Sequence, residues 1–70
     1  MAATAALRLD EERLRALWAR KGYLSSFERR MVVTYMLQVV DDRILLTKAQ
    51  TTFIRSVEEV VSQRERVIEQ

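Results

Sequence analysis

The chain contains no cysteine, no histidine and no proline, and its only glycine is Gly22. Each absence closes off a way of building or using a small protein. Without cysteine there are no disulfides, and without cysteine and histidine the common zinc-ligand sets cannot form. The lack of cysteine is compatible with a reducing compartment. Turn and strand-breaking residues are scarce, while Leu, Ala, Arg, Glu and Gln are plentiful, a balance that favours helices throughout. The equipment of an enzyme is missing too: there is no glycine-rich phosphate loop and no strand to carry a nucleophile. The acids occur as sequence neighbours (Glu11-Glu12, Asp41-Asp42, Glu58-Glu59). On a helix, consecutive residues point about 100° apart, so such pairs converge on no single site. Asp41-Asp42 reads as a solvated helix end, with a partner-facing acidic spot or a weak cation site as the alternatives. No enzyme, metal site, cofactor or small-molecule substrate is expected.

What is present is apolar residue in excess. At 70 residues the chain is near the size at which one hydrophobic core is only marginally sufficient. Small domains then add a disulfide, a metal or an oligomer interface, and here only association with another chain remains. The segment Met31–Leu46 makes this acute, since 11 of its 16 residues are apolar. Thr34, Gln38 and Asp41-Asp42-Arg43 interrupt it, so it is too short for a membrane span. The opening MAATAAL lacks the charged and apolar regions of a signal peptide, and the early acids argue against a mitochondrial transit helix. A soluble cytoplasmic protein is expected.

Charge is unevenly spread. Residues 1–30 carry seven basic side chains against four acidic ones, and residues 31–70 carry five against six. That basic front falls short of the dense patch of a dedicated nucleic-acid binder.

Spacing predicts an all-α, three-helix domain over residues 9–70, preceded by a disordered arm, 1–8. The helices are expected at about 10–21, 26–41 and 48–69. Asp10 is placed to cap the first, with Glu11 and Glu12 in the first turn and Leu9 and Leu14 forming a hydrophobic staple. Gly22 is suited to end it in the left-handed conformation. Ser25 and Glu28 form a capping box for the second helix. Its apolar residues fall on two adjacent stripes, predicting a central helix buried nearly all round. Either Asp41-Asp42 ends it, because acids oppose the dipole there, or it runs one turn further to Ile44. Thr47 and Gln50 make a second capping box ahead of a long third helix. The end of that helix, Ser62–Gln70, is expected to overhang the first as a frayed tail or as a short coiled-coil seam with a second chain.

Surplus apolar surface predicts an interface made of Trp18, Val33, Leu37, Val40, Ile44, Val57, Val61 and Ile68. Trp18 and Tyr35 also fit as core residues, with a part-exposed interface anchor the alternative for Trp18. A helix-turn-helix around Gly22 is rejected. That motif needs a small residue where Trp18 stands, and polar side chains on the following helix to reach base edges. A weaker basic face remains, made of Arg13, Arg20, Lys21, Arg29 and Arg30. It is either an ordinary solvated surface or a phosphate-binding one.

The framework Leu24-Ser25-Ser26-Phe27-Glu28-Arg29, then a helix, then Leu46-Thr47-Lys48-Ala49-Gln50 with Phe53, covers residues 24–55. It resembles small helical segments of phage and mobile-element DNA-metabolism proteins, which read L-[ST]-x-[WF]-E, a helix, then L-[ST]-x-K-Q. Here Ala49 separates the Lys from the Gln, and Asp41-Asp42-Arg43-Ile44-Leu45 replaces the usual Gly- or Arg-rich connector. The resemblance implies an accessory protein that works through contacts with larger machinery. The leading expectation is a non-enzymatic interaction module (an adaptor, regulator or inhibitor), forming a homo-oligomer and docking on a larger protein. The alternative is a nucleic-acid-binding accessory protein using the basic face.

Overall fold

A computed structural model describes the backbone of residues 2–69 and the side chains of residues 4–67. Its elements are α1 (Ala2–Ala19), a 3-10 turn (Lys21–Tyr23), α2 (Ser26–Val40) and α3 (Lys48–Glu69). The fold is all-α, with three helices. No helix among the described residues is long and apolar enough to cross a membrane.

Helix α1 starts much earlier than the acids suggest. The stretch from Ala2 onward, expected as a disordered arm, is helical. Alanine has the highest helix propensity, and Leu7 packs against the core, so the segment has both a local and a tertiary reason to be ordered. Asp10 is therefore an interior residue and not a cap. Its carboxylate instead accepts a hydrogen bond from the Leu46 amide at 3.1 Å, across the domain. Leu9 is exposed and forms no staple. The helix tightens into the 3-10 turn through Arg20 N–H to Leu17 O, Tyr23 N–H to Arg20 O and Leu24 N–H to Lys21 O, each 3.0 Å. Gly22 has no positive φ, contrary to expectation.

Both capping boxes form. The Glu28 amide donates to Ser25 Oγ at 3.1 Å, and the Ser25 amide to Glu28 Oε1 at 2.7 Å. At α3 the Gln50 amide donates to Thr47 Oγ1 at 3.1 Å, and the Thr47 amide to Gln50 Oε1 at 2.8 Å. Helix α2 stops at Val40, and the chain leaves through Arg43, whose φ of 55° lies in the left-handed region. The extension to Ile44 does not occur. The connector is held by the Gln38 amide, which donates to Leu45 O at 3.0 Å and pairs reciprocally with the Gln50 amide at 2.8 and 3.0 Å.

The core is one stripe from each helix: Leu14 and Leu17 from α1, Val32, Tyr35 and Val39 from α2, Ile54, Val57 and Val61 from α3, closed by Leu24. Phe53 stands edge-on to both Tyr35 and Phe27, with ring centroids 6.0 and 6.1 Å away. Arg13 pairs with Glu58 and Arg20 with Glu65, both 45 residues apart, so α1 and α3 run parallel while α2 returns between them. The expected overhang is correspondingly shorter. Ser62, Arg64 and Glu65 all bond back to the hairpin.

The two turns carry their special residues in exchanged roles. Arg43 occupies the conformation that suits glycine, at a cost of about 1–2 kcal/mol for an L side chain. A Cβ added at Gly22 meets nothing within 4 Å. In urea unfolding, Arg43→Gly is expected to stabilise by up to about 1 kcal/mol once glycine's extra unfolded freedom is subtracted. Gly22→Ala is expected to stabilise by about 0.4–1 kcal/mol. A loss of stability in either variant would contradict these turn geometries.

Candidate functional site

The second apolar stripe of α2 does not find cover within the chain. Val33 and Leu37 are 37% and 53% exposed, so α2 is not buried all round. Two neighbouring helices can enclose only the Val32–Tyr35–Val39 side, and the opposite side is left to solvent. Together with Trp18, Met36 and Val40, these two residues line an open groove of about 400 Å³ between α1 and α2. Arg15 and Asp41 stand at its rim. Because α1 and α2 are joined by a short turn and run antiparallel, Trp18 stands toward the start of α2 and Asp41 closes its far end.

The groove brings together Trp18, Val33, Leu37 and Val40 of the expected interface. Ile44 is outside it, 54% exposed on the connector beside Leu45. Val57 and Val61 are corrected: at 3% and 0% exposure they are core residues, because α3 turns them toward Leu14 and Val32. The Ile68 side chain lies outside the described residues. Met36 is an addition. Its position, three after Val33 and four before Val40, is the signal that places it on this face.

The basic residues do not form one face. Arg13 grips Glu58 with two hydrogen bonds, Nε to Oε2 at 2.9 Å and an NH2 contact to Oε1 at 2.8 Å. Hydrogen bonding to Glu58 raises the Arg13 pKa further, against the effect of burial, so it stays charged at any ordinary pH. Arg20 pairs with Glu65 and reaches Ser62 Oγ at 3.4 Å. Both arginines therefore fasten α1 to α3. Lys21 lies with its ammonium 5.0 Å from the centre of the Trp18 ring. Arg29 Nε donates to Lys21 O at 3.0 Å. Arg30 is exposed, and among the described residues it forms no ion pair.

A larger cleft, about 690 Å³, lies between the 3-10 turn and the end of α3. Its charged residue is already committed: Arg64 donates to Tyr23 O and to Glu28 Oε1, both at 2.7 Å. Of its large apolar side chains only Val67 is largely exposed, whereas the α1–α2 groove has two neighbouring exposed ones on a single helix, Val33 and Leu37.

Glu28 consequently does two jobs, capping α2 and receiving Arg64. Burial pushes its carboxyl pKa up, but the Ser25 amide, Arg64 and the Ser25 hydroxyl outweigh this and hold it below the ordinary carboxylate value. A carboxylate with a lowered pKa contributes stability that is present above the unfolded value and is lost as pH falls through the folded one. The wild type is therefore expected to melt at progressively lower temperature as the pH falls from neutral through the ordinary carboxylate range and on through the lowered pKa of Glu28. Glu28→Gln should be less stable at neutral pH and lose less on acidification. Parallel curves for the two proteins would contradict the double role.

Set against protein-family models, curated proteins and solved structures, the chain matches none of them.

Proposed function

We propose that this chain is a small non-enzymatic interaction module, an adaptor, regulator or inhibitor that acts by helix docking and forms a homo-oligomer. The observation that carries the reading is the α1–α2 groove, walled by the exposed Val33 and Leu37 and lined also by Trp18, Met36 and Val40. Fully burying an apolar side chain of this size is worth about 1.5–3 kcal/mol, against a stability of only about 0.05–0.15 kcal/mol per residue for native proteins. Covering even two of these side chains is thus a large gain for a domain of this size. Aromatic and aliphatic anchors set in a concave surface are also the usual energetic centre of a protein interface. A larger protein then docks on the assembled module.

A second reading rests on Lys21, Arg29 and Arg30, which are exposed near the start of α2. They support a nucleic-acid-binding accessory protein of the phage or mobile-element kind that residues 24–55 resemble. This face lacks Arg13 and Arg20, which are occupied by α3, and three cations give a weak, strongly salt-dependent contact.

Light scattering on the purified chain separates these readings. The wild type is expected at twice the chain mass or more at micromolar concentration. Leu37→Glu, at a position already 53% exposed, should shift it to the monomer while changing folding stability by no more than about 0.5 kcal/mol. A wild-type monomer that does not bind the apolar dye ANS would sink the docking reading. A mobility shift at about 50 mM salt that is lost on changing Arg29 and Arg30 to Glu would favour the second.

A further inference from the structure

Arg30, Val33, Leu37 and Asp41 are all exposed. They follow one another along α2 at spacings of three, four and four, which is the spacing of a single helix face. This face is apolar in its middle and carries a cation at one end and an anion at the other, about 16 Å apart at about 1.5 Å per residue. Among the described residues neither Arg30 nor Asp41 is in an ion pair. Asp41 is moreover the C-cap of α2, with helical angles (φ −84°, ψ −47°) and no basic residue in the last turn. A carboxylate there opposes the helix dipole, so within its own chain Asp41 is locally unfavourable.

The four positions are symmetric. Val33 and Leu37 are centred on position 35, and Arg30 and Asp41 share that centre to within half a residue. In a two-fold arrangement of antiparallel helices, residues equally far from the centre oppose one another. A parallel arrangement instead sets Arg30 against Arg30 and Asp41 against Asp41.

We infer that a second copy of this chain covers the groove, its α2 antiparallel to the first, with Val33 against the partner's Leu37 and Arg30 against the partner's Asp41. The inference rests on the docking reading above and adds its occupant, orientation and register. The two-fold axis makes each contact twice, so the interface has two apolar contacts flanked by two ion pairs. Trp18, Met36 and Val40 receive the partner's apolar side chains from the α1 side. Asp41 gains the cation that its own helix end lacks. The same pairing occupies Arg30, an exposed member of the basic set, and removes it from any phosphate-binding face.

Sedimentation equilibrium of the full chain tests this by charge reversal. Arg30→Glu and Asp41→Arg should each weaken self-association by about tenfold or more, because each turns both ion pairs into like-charge contacts. Asp41→Arg should at the same time raise folding stability slightly, since it places a cation at the helix C-terminus; its dissociation then cannot be blamed on unfolding. The double variant Arg30→Glu/Asp41→Arg should recover wild-type association, and so should an equimolar mixture of the two single variants. If the wild type dimerises but the single variants dimerise equally well, docking stands and this register is overturned. A wild type that stays monomeric throughout overturns both. A monomeric wild type that binds a DNA or RNA oligonucleotide in a salt-dependent way, lost in Arg30→Glu, overturns the inference in favour of nucleic acid.

Discussion

Helix α2 is apolar on more of its circumference than two neighbouring helices can cover. Its Val32–Tyr35–Val39 side builds the core with Leu14, Leu17, Ile54, Val57 and Val61, and once that side is buried the Val33–Leu37 side has no helix left to meet. A chain without cysteine or a zinc-ligand set has no covalent or metal staple to spare apolar residues for. The core must therefore be as apolar as the chain allows, and the excess emerges on the surface between α1 and α2. The groove descends from that geometric shortage, and the proposed self-association and docking role rest on it.

The charged residues show how the rest of the surface is spent. Arg13–Glu58, Arg20–Glu65 and Arg64–Glu28 tie the second half of α3 to the α1–α2 hairpin. Individually such partly exposed pairs are worth little. Together with the two-point Arg13 contact and the Arg64 bond to Tyr23 O, they fix the register of α3 against a hairpin whose apolar stripes alone allow some sliding. Charges used in this way are not free to recognise a phosphate. The basic front seen in the composition is therefore divided between structural ion pairs and the few cations near the start of α2.

Local features were legible before any tertiary information. Ser25 with Glu28 and Thr47 with Gln50 are capping boxes in sequence and in structure, because every group involved lies within three residues. The three-helix class followed from the lack of breakers and from spacing. What escaped depended on contacts far apart in the chain. Asp10 looks like an N-cap until the Leu46 amide, 36 residues away, claims its carboxylate. Residues 2–8 look too featureless to be ordered until Leu7 reaches the core. Val57 and Val61 fit a core stripe and an interface stripe equally well by spacing; only the direction in which α3 faces the hairpin chooses between them. For the groove, Trp18, Val33, Leu37 and Val40 were readable as surplus apolar residues. Nothing in spacing alone shows Ile44 leaving the helix at Arg43 and missing the groove.

In the proposed dimer the outward side of α2 meets the same side of a second chain, running the other way. An isotope-filtered nuclear Overhauser experiment on an equimolar mixture of labelled and unlabelled chain reads this contact directly, since only intermolecular proximity produces a signal. Cross-peaks between the Val33 methyls of one copy and the Leu37 methyls of the other are expected. Intermolecular peaks pairing Val33 with Val33 and Leu37 with Leu37 alone, or none involving either residue, would contradict this antiparallel pairing.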